Sequence, residues 1–256
     1  MHPDADPFML SPPPVALLRG ASLFLDFDGT LVELAERPDA VVVDAGLRDL
    51  LGGLGALYRG RLAIVSGRSI AQLDALLGPI ANSFALSGSH GSEHRRNGRS
   101  VAPARPPALE AVAAALQGFA DEHPGTLVEI KSFGVALHYR LTPDVAAAAA
   151  ALAGRLGKAH GLAVQPGKMM VELRVAGGDK GSAVRALMAQ PPMAGTIPLV
   201  LGDDVTDEPA FAAADALGGA GILIGTARET AARYALPDVA AARAWLGGAL
   251  GGNRNI

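Results

Sequence analysis

The chain of 256 residues contains no cysteine. That absence excludes a disulfide scaffold, a thiolate metal site, an iron–sulfur cluster and a cysteine nucleophile at once. A surplus of positive charge is missing as well, because 22 Lys and Arg face 25 Asp and Glu for a formal net charge of −3. The broad basic footprint of a dedicated nucleic-acid binder is therefore absent, and any basic patch is local. Long apolar runs are also lacking, the longest being the nine residues 145–153. A membrane-spanning helix needs about twenty. The first residues, MHPDADPFMLSPPP, show neither a positively charged leader nor an apolar stretch of signal-peptide type. They are expected to form a flexible, proline-rich lead-in over residues 1–15 of a soluble, cytoplasmic protein. What the chain does have is 50% hydrophobic residues, enough to bury the core of one large domain or two modest ones.

From residue 22 onward, short β-rich runs alternate with helical patterns: strands over 22–27, 62–66 and 84–87, and helices over 45–57 and 69–77. The rhythm returns after Lys180, with helices over 180–189 and 206–214 and on to residue 245, and strands over 198–201 and 220–224. Alternation of this kind predicts an α/β fold with a parallel sheet covered by helices on both faces. The middle of the chain differs. Pro106 and Pro107 open an alanine-rich helix to about residue 120, strands follow over 127–131 and 135–140, Thr142-Pro143-Asp144 predicts the N-cap of a second helix, and strands over 162–165 and 169–175 close the segment. Helix, strand, strand, twice over with tight joins, predicts an antiparallel sheet in a second, smaller α+β domain inserted into the first. The expected boundaries are 1–102 with 179–256 for the core and 103–178 for the insertion.

The chemistry-bearing residues cluster at the ends of the core strands, where open parallel sheets bind ligands. The first strand empties into Asp26-Phe27-Asp28-Gly29-Thr30, placing two carboxylates two residues apart before a sharp turn. A calcium loop of the EF-hand kind would need further oxygen ligands and a glycine at its sixth position, and neither is present. The second strand ends in Ser66-Gly67-Arg68, where a hydroxyl, backbone amides and a cation open a helix in the manner of a phosphate site. A later strand ends in Gly202-Asp203-Asp204-Val205-Thr206-Asp207. Thr206 or Asp204 could simply cap the next helix, but one cap does not need three acids, whereas a hard divalent cation wants carboxylates. Lys180, in Gly178-Asp179-Lys180-Gly181, stands where the chain re-enters the core, although a lone lysine is usually a solvated charge.

These four segments, DFDGT, SGR, GDK and GDDVTDE, resemble the ordered motifs of the haloacid-dehalogenase-like phosphotransferases, whose signature is DxDx[TV]. The resemblance covers nearly the whole chain and implies a Rossmann-like core with an inserted cap of the C2B type, Mg²⁺ dependence and an aspartyl-phosphate intermediate. It makes Asp26 the nucleophile and Asp28 the acid that protonates the leaving oxygen and then activates water. Asp26, the Asp28 carbonyl and Asp203 would hold Mg²⁺, with Asp207 anchoring the acidic loop and Asp204 supporting it. Ser66, Gly67 and Lys180 would bind phosphoryl oxygens, and Arg68 would reach phosphate or the cap. A carboxylate near Asp28 would raise its pKa in the direction a general acid needs.

In the insertion, Val128, Ile130, Val135, Leu137 and Tyr139 alternate with Glu129, Lys131, His138 and Arg140, and Met169, Val171, Leu173 and Val175 alternate with Lys168, Glu172 and Arg174. Period-two alternation predicts one apolar and one polar sheet face. An ordinary wet face explains this pattern, but mixed acids and cations also suit sugar hydroxyls, and Gly134 and Ala136 leave the polar face room. The set Glu129, Lys131, Arg140, Lys168 and Glu172, with Gly88-Ser89-His90-Gly91-x-Glu93, resembles the trehalose-6-phosphate phosphatase family, in which such cap residues hold the disaccharide. Pro209 stands where an acidic residue is common. His90 either orients the site or is a satisfied structural histidine. The resemblance implies a cap that closes over trehalose 6-phosphate as a small-molecule substrate; a monomer is expected, and the charge and the short apolar runs predict no nucleic-acid or membrane partner. Another sugar phosphate, such as sucrose 6-phosphate or mannosyl-3-phosphoglycerate, and a catalytically silent sugar-phosphate sensor are the alternatives.

Overall fold

The computed structural model describes residues 9–35, 37, 40–101, 104–175 and 178–251. It divides into two compact units, residues 1–101 with 179–256 and residues 102–178.

In chain order the elements are β1 (Ala21–Leu25), α1 (Ala45–Tyr58), β2 (Leu62–Val65), α2 (Ile70–Leu77), β3 (Ala85–Gly88), β4 (Glu93–Arg96) and β5 (Arg99–Val101). The second unit follows with α3 (Ala108–Glu122), β6 (Leu127–Ile130), β7 (Gly134–His138), α4 (Ala146–His160), β8 (Ala163–Gly167) and β9 (Met170–Arg174). The chain then completes the first unit with α5 (Lys180–Met188), β10 (Ile197–Gly202), α6 (Glu208–Ala216), β11 (Ala220–Ile224), β12 (Tyr234–Leu236) and α7 (Val239–Gly251).

The first unit is an eight-stranded sheet in the order β12-β11-β10-β1-β2-β3-β4-β5. Its strands are parallel from β12 to β3, and β4 and β5 add an antiparallel edge. Every residue of β1, β2 and β11 is buried, as sheets covered on both faces require. Leu23 and Leu25 of β1 pack with Leu47 and Leu51 of α1 and Leu246 of α7, whereas Phe24 points the other way toward Val184 of α5 and Phe211 of α6. The period-two alternation of one strand thus feeds two cores. Chain order reverses at β1, with β2 on one side and β10 on the other, which makes the carboxyl end of β1 the switch point where a ligand crevice forms.

Three strands go beyond those expected. β4 and β5 are joined by Asn97-Gly98 with φ of 51° and 72°, a hairpin turn hidden by the charged residues around it. β12 is three residues long and ends the sheet. The lead-in also differs from expectation. Residues 1–8 lie outside the described residues, but from residue 9 the segment is tied down, because the Ser11 carbonyl accepts the Ala235 amide of β12 at 3.1 Å and the Pro13 carbonyl accepts Trp245 Nε1 at 2.8 Å.

The second unit is a four-stranded antiparallel sheet in the order β6-β7-β9-β8. Leu109, Val112 and Leu116 of α3 and Ala149 and Ala153 of α4 pack on Val135, Leu137, Val171 and Leu173. The alanine run is therefore helix, and its small side chains let α4 lie close to the sheet. Thr142 does not cap α4: its hydroxyl donates to the Pro124 carbonyl at 2.8 Å, and a short 3₁₀ turn over Pro143–Val145 leads into the helix. Two residues expected on the apolar face are not in the core. Ile130, at the end of β6, is 62% exposed, and Met169 occupies the two-residue turn between β8 and β9 with φ of 58°. Among the described residues no helix is long and apolar enough to cross a membrane.

Candidate active site

Asp26 follows β1 directly, and its amide donates to the Leu201 carbonyl of β10 at 2.9 Å, which sets it at the switch point. Lys180 is the first residue of α5, whose start is fixed by the Asp179 carboxylate accepting the Ser182 amide at 2.6 Å. From there its ammonium donates to Asp26 Oδ1 at 2.6 Å and to Asp207 Oδ1 at 2.7 Å, and all three side chains are buried. The other Asp207 oxygen accepts the amides of Asp203 and Asp204 at 3.1 and 3.0 Å, pinning the acidic loop from inside. Asp204 turns its own carboxylate to the Val205 amide at 2.7 Å and caps the turn that follows. Gly29 has φ of +78°, and a Cβ built on it would lie 2.2 Å from Asp203 Oδ2. The turn after Asp28 must therefore be glycine both for its backbone angle and for the approach of that carboxylate.

Burial pushes the Asp26 carboxyl well above the ordinary carboxylate range; Lys180 opposes the shift, while Asp207 and Asp203 add to it. Burial works against the charge of Lys180, but Asp207 and Asp26 outweigh it and hold the ammonium above its usual value. Ligand oxygens of Asp26, Asp203 and Asp207 lie within 4.8 Å of one another. Fully ionised, the three carboxylates exceed the one ammonium by two negative charges, which a divalent cation would neutralise. The donor set is all oxygen, the preference of hard cations such as Mg²⁺. The residues present thus suit such an ion.

The Asp28 carboxylate is not part of that cluster. Arg68 grips it bidentately, Nε to Oδ2 and Nη2 to Oδ1, both at 2.7 Å. The carboxylate neighbour expected for Asp28 is thus replaced by a guanidinium, because the helix opened by Ser69 aims Arg68 back at the first strand end. Ser66 Oγ accepts the Arg68 amide at 3.1 Å. The loop after β3 is fastened to this segment: the Ser89 amide donates to the Arg68 carbonyl at 2.8 Å and the His90 amide to the Ser66 carbonyl at 3.0 Å. His90, at φ of 54°, lays its ring on Gly67, where a Cβ would come within 2.6 Å of it. Glu93 had no assigned role, yet its buried carboxylate accepts Ser89 Oγ at 2.7 Å and the Ile70 amide at 3.1 Å, joining the two loops.

In the second unit, Glu129, Ala136, Glu172 and Gln165 form one row across all four strands. Lys131 Nζ lies 2.5 Å from Glu172 Oε2, and His138 Nε2 lies 2.8 Å from Glu129 Oε2. The room expected at Gly134 is occupied, since a Cβ there would stand 2.6 Å from Glu172 Oε1. Register brings Glu129, Lys131 and Glu172 onto one face. Arg140 and Lys168 lie past the strand ends, next to the Tyr139–Met169 backbone bond, at the end of the strands opposite Lys131.

A parallel sheet that converges a buried Asp–Lys–Asp network and an acidic loop on its switch point defines a phosphohydrolase of the haloacid-dehalogenase-like class. The fold is similar to that of a haloacid dehalogenase-like hydrolase from Bacteroides thetaiotaomicron, with a TM-score of 0.65 at 16% identity over 89% of this chain and 98% of that one. Within that class the chain belongs to the trehalose-phosphatase family, whose profile matches residues 24–240. It is 39% identical over 226 residues to the trehalose-6-phosphate phosphatase of Escherichia coli K12, covering 87% of this chain and 84% of that protein. It is 42% identical over 209 residues to a Sinorhizobium fredii protein named probable trehalose-phosphate phosphatase, covering 80% and 77%. The C-terminal domain of the Candida albicans trehalose-6-phosphate phosphatase superposes with a TM-score of 0.83 at 25% identity, over 96% of this chain and 99% of that one.

Proposed function

We propose that this protein hydrolyses trehalose 6-phosphate to trehalose and inorganic phosphate, with the first unit carrying the chemistry and the second reading the sugar. The observation that carries the reading is the buried Asp26–Lys180–Asp207 network beside Asp203. Asp26 and Asp203 carboxylates, with the main-chain carbonyl of Asp28, would hold Mg²⁺. A bound Mg²⁺ supplies the positive charge that lets an anionic carboxylate approach an anionic phosphoryl group.

Lys180 holds one oxygen of Asp26, fixing the direction in which that carboxylate faces phosphorus. Asp26 attacks, the phosphorus bond to the sugar oxygen breaks, and Asp28 transfers a proton to that oxygen as trehalose leaves. Water then attacks the aspartyl phosphate, Asp28 takes its proton, and the Asp26–phosphorus bond breaks to release phosphate. Two assisted steps replace one hydrolysis whose enzymatic acceleration reaches ~10²¹-fold. Asp28 cannot act while Arg68 grips both of its oxygens. A phosphoryl dianion is a stronger acceptor for the same planar fork, so its arrival would draw Arg68 away and leave the Asp28 carboxylate free to take up from solvent the proton it then gives to the leaving oxygen. Ser66 and the amides of the loop at Gly67 would complete the phosphate contacts, with His90 as the wall behind Gly67.

In the second unit, the carboxylates of Glu129 and Glu172 would accept hydroxyl protons of the disaccharide while Lys131, Arg140 and Lys168 donate. The same reading takes the protein as a cytoplasmic monomer, which size-exclusion chromatography tests. The substrate assignment is tested by phosphate release from a panel of phosphorylated sugars with Mg²⁺ present. Turnover of trehalose 6-phosphate at least about tenfold better than that of sucrose 6-phosphate or mannosyl-3-phosphoglycerate is expected, that margin being worth ~1.4 kcal/mol of transition-state binding. Equal turnover of all three removes the assignment.

A further inference from the structure

The acidic loop between Asp203 and Asp207 is held from two sides, and only the inner hold comes from the strand-end motifs. On that side Asp207 Oδ2 binds the amides of Asp203 and Asp204. On the outer side, Arg228 in the loop after β11 donates through Nη2 to the Asp204 carbonyl at 2.9 Å. The same carbonyl also accepts the Asp207 amide at 3.0 Å, so what Arg228 adds is a hold on the Asp204 peptide from outside the 203–207 segment.

Arg228 is itself held. Its Nη1 donates to Glu208 Oε1 and to the Glu229 carbonyl, the latter at 3.1 Å. Glu208 also accepts Thr230 Oγ1 at 2.8 Å and the Ala231 amide at 2.7 Å. Each side chain of the Arg228–Glu208 pair is only 26% exposed, which sets it apart from the open surface pairs that contribute little. Glu208, with three donors of the 228–231 loop on its carboxylate, is the anchor of that loop, and Arg228 is the arm that reaches from it to the acidic loop.

We propose that Arg228 is a positioning residue that sets the divalent-cation affinity of the site without touching the cation, an inference that rests on the cation-dependent function proposed for this site. The physical ground is the intolerance of a small hard ion, which demands oxygen ligands near 2.0–2.1 Å in close to octahedral geometry. Without Arg228 the Asp204 peptide is held by the carboxylate and the amide of Asp207, a residue of the same loop, and can shift with it, carrying the Asp203 carboxylate along. Removing partners that orient ligands in this way typically costs about 10–100-fold in metal affinity.

The test is Mn²⁺ binding to the metal-free protein, followed by loss of the free-ion electron paramagnetic resonance signal, with thermal unfolding in EDTA measured on the same samples. Arg228→Ala is expected to weaken Mn²⁺ binding about 10–100-fold. Arg228→Gln, which keeps bulk and one donor group, decides the matter if the alanine variant does not fold. Thr230→Ala leaves all three Arg228 bonds in place and is expected to bind as the wild type does. A folded Arg228 variant whose dissociation constant stays within about twofold of wild type, even with a lowered melting temperature, assigns Arg228 to stability alone and overturns the proposal. Equal losses in Thr230→Ala and Arg228→Ala overturn it too. A wild-type protein that binds no Mn²⁺ overturns the cation-dependent function itself and this inference with it.

Discussion

The two units hold their charges in different ways. In the first, Asp26, Lys180 and Asp207 are far apart in sequence, come from the ends of different elements, and are buried against one another at 2.6 and 2.7 Å. In the second, Glu129 on the edge strand β6 and Lys131 just past its end are two residues apart, and each pairs with a side chain of the sheet face, His138 or Glu172. Loops and helix starts position the first set, and strand register positions the second. The lesson is one of tolerance. A charge removed from the first network leaves a buried partner uncompensated, as loss of Lys131 would leave Glu172, whereas one removed from the less buried Glu129–His138 pair leaves the sheet backbone and its register intact. Chemistry on any phosphate ester should therefore depend on the first unit, and choice among sugars on the second.

That contrast can be broken most severely at Asp26. Asp26→Asn keeps the shape but removes the proposed nucleophile, and loss of phosphate release by about 10⁴-fold or more is expected on every substrate, the scale seen when a covalent nucleophile is removed. Lys180→Ala should lower turnover of every substrate about 10²–10³-fold, as loss of a preorganised donor does. It should also destabilise the fold by about 3–5 kcal/mol in denaturant titrations, because Asp26 and Asp207 lose their shared cation. Gly67→Ala forces a methyl against the His90 ring and shifts the loop proposed to bind phosphate, and a loss up to about 10²-fold with either class of substrate is expected in steady-state kinetics. His138→Ala releases Glu129 and should cost about tenfold or less, near the value of one hydrogen bond, and only for the disaccharide phosphate. An equal effect of His138→Ala on a small aryl phosphate would blur the contrast between the units.

Much of the first unit was legible because its chemistry is written in short contiguous motifs at strand ends. DFDGT, SGR, GDK and GDDVTDE each carry their own turn and cap signals, and the buried strands between them are unambiguous apolar runs. The Asp28–Arg68 grip was not legible, since it joins residues forty positions apart by a side-chain direction that no local pattern encodes. Arg228 carried no signal at all, because a charged residue in a loop reads as solvated until its partners are seen. In the second unit, alternation identified the two faces but misplaced their ends: Ile130 is at an uncovered edge and Met169 is in a turn. Periodicity says which way a side chain points, not whether a helix covers it. Gly134 teaches the same point from the other side, since the space it leaves is taken by Glu172 from the neighbouring strand.

The division of labour is tested most directly by comparing kcat/KM of Glu129→Ala with that of the wild type on two substrates, trehalose 6-phosphate and p-nitrophenyl phosphate. Loss of a polar partner for a sugar hydroxyl is expected to cost about 10–100-fold on the disaccharide phosphate, some 1.5–3 kcal/mol, while the aryl phosphate changes by less than about twofold. Equal losses on both substrates would contradict the account and make the polar face of the second unit a structural feature.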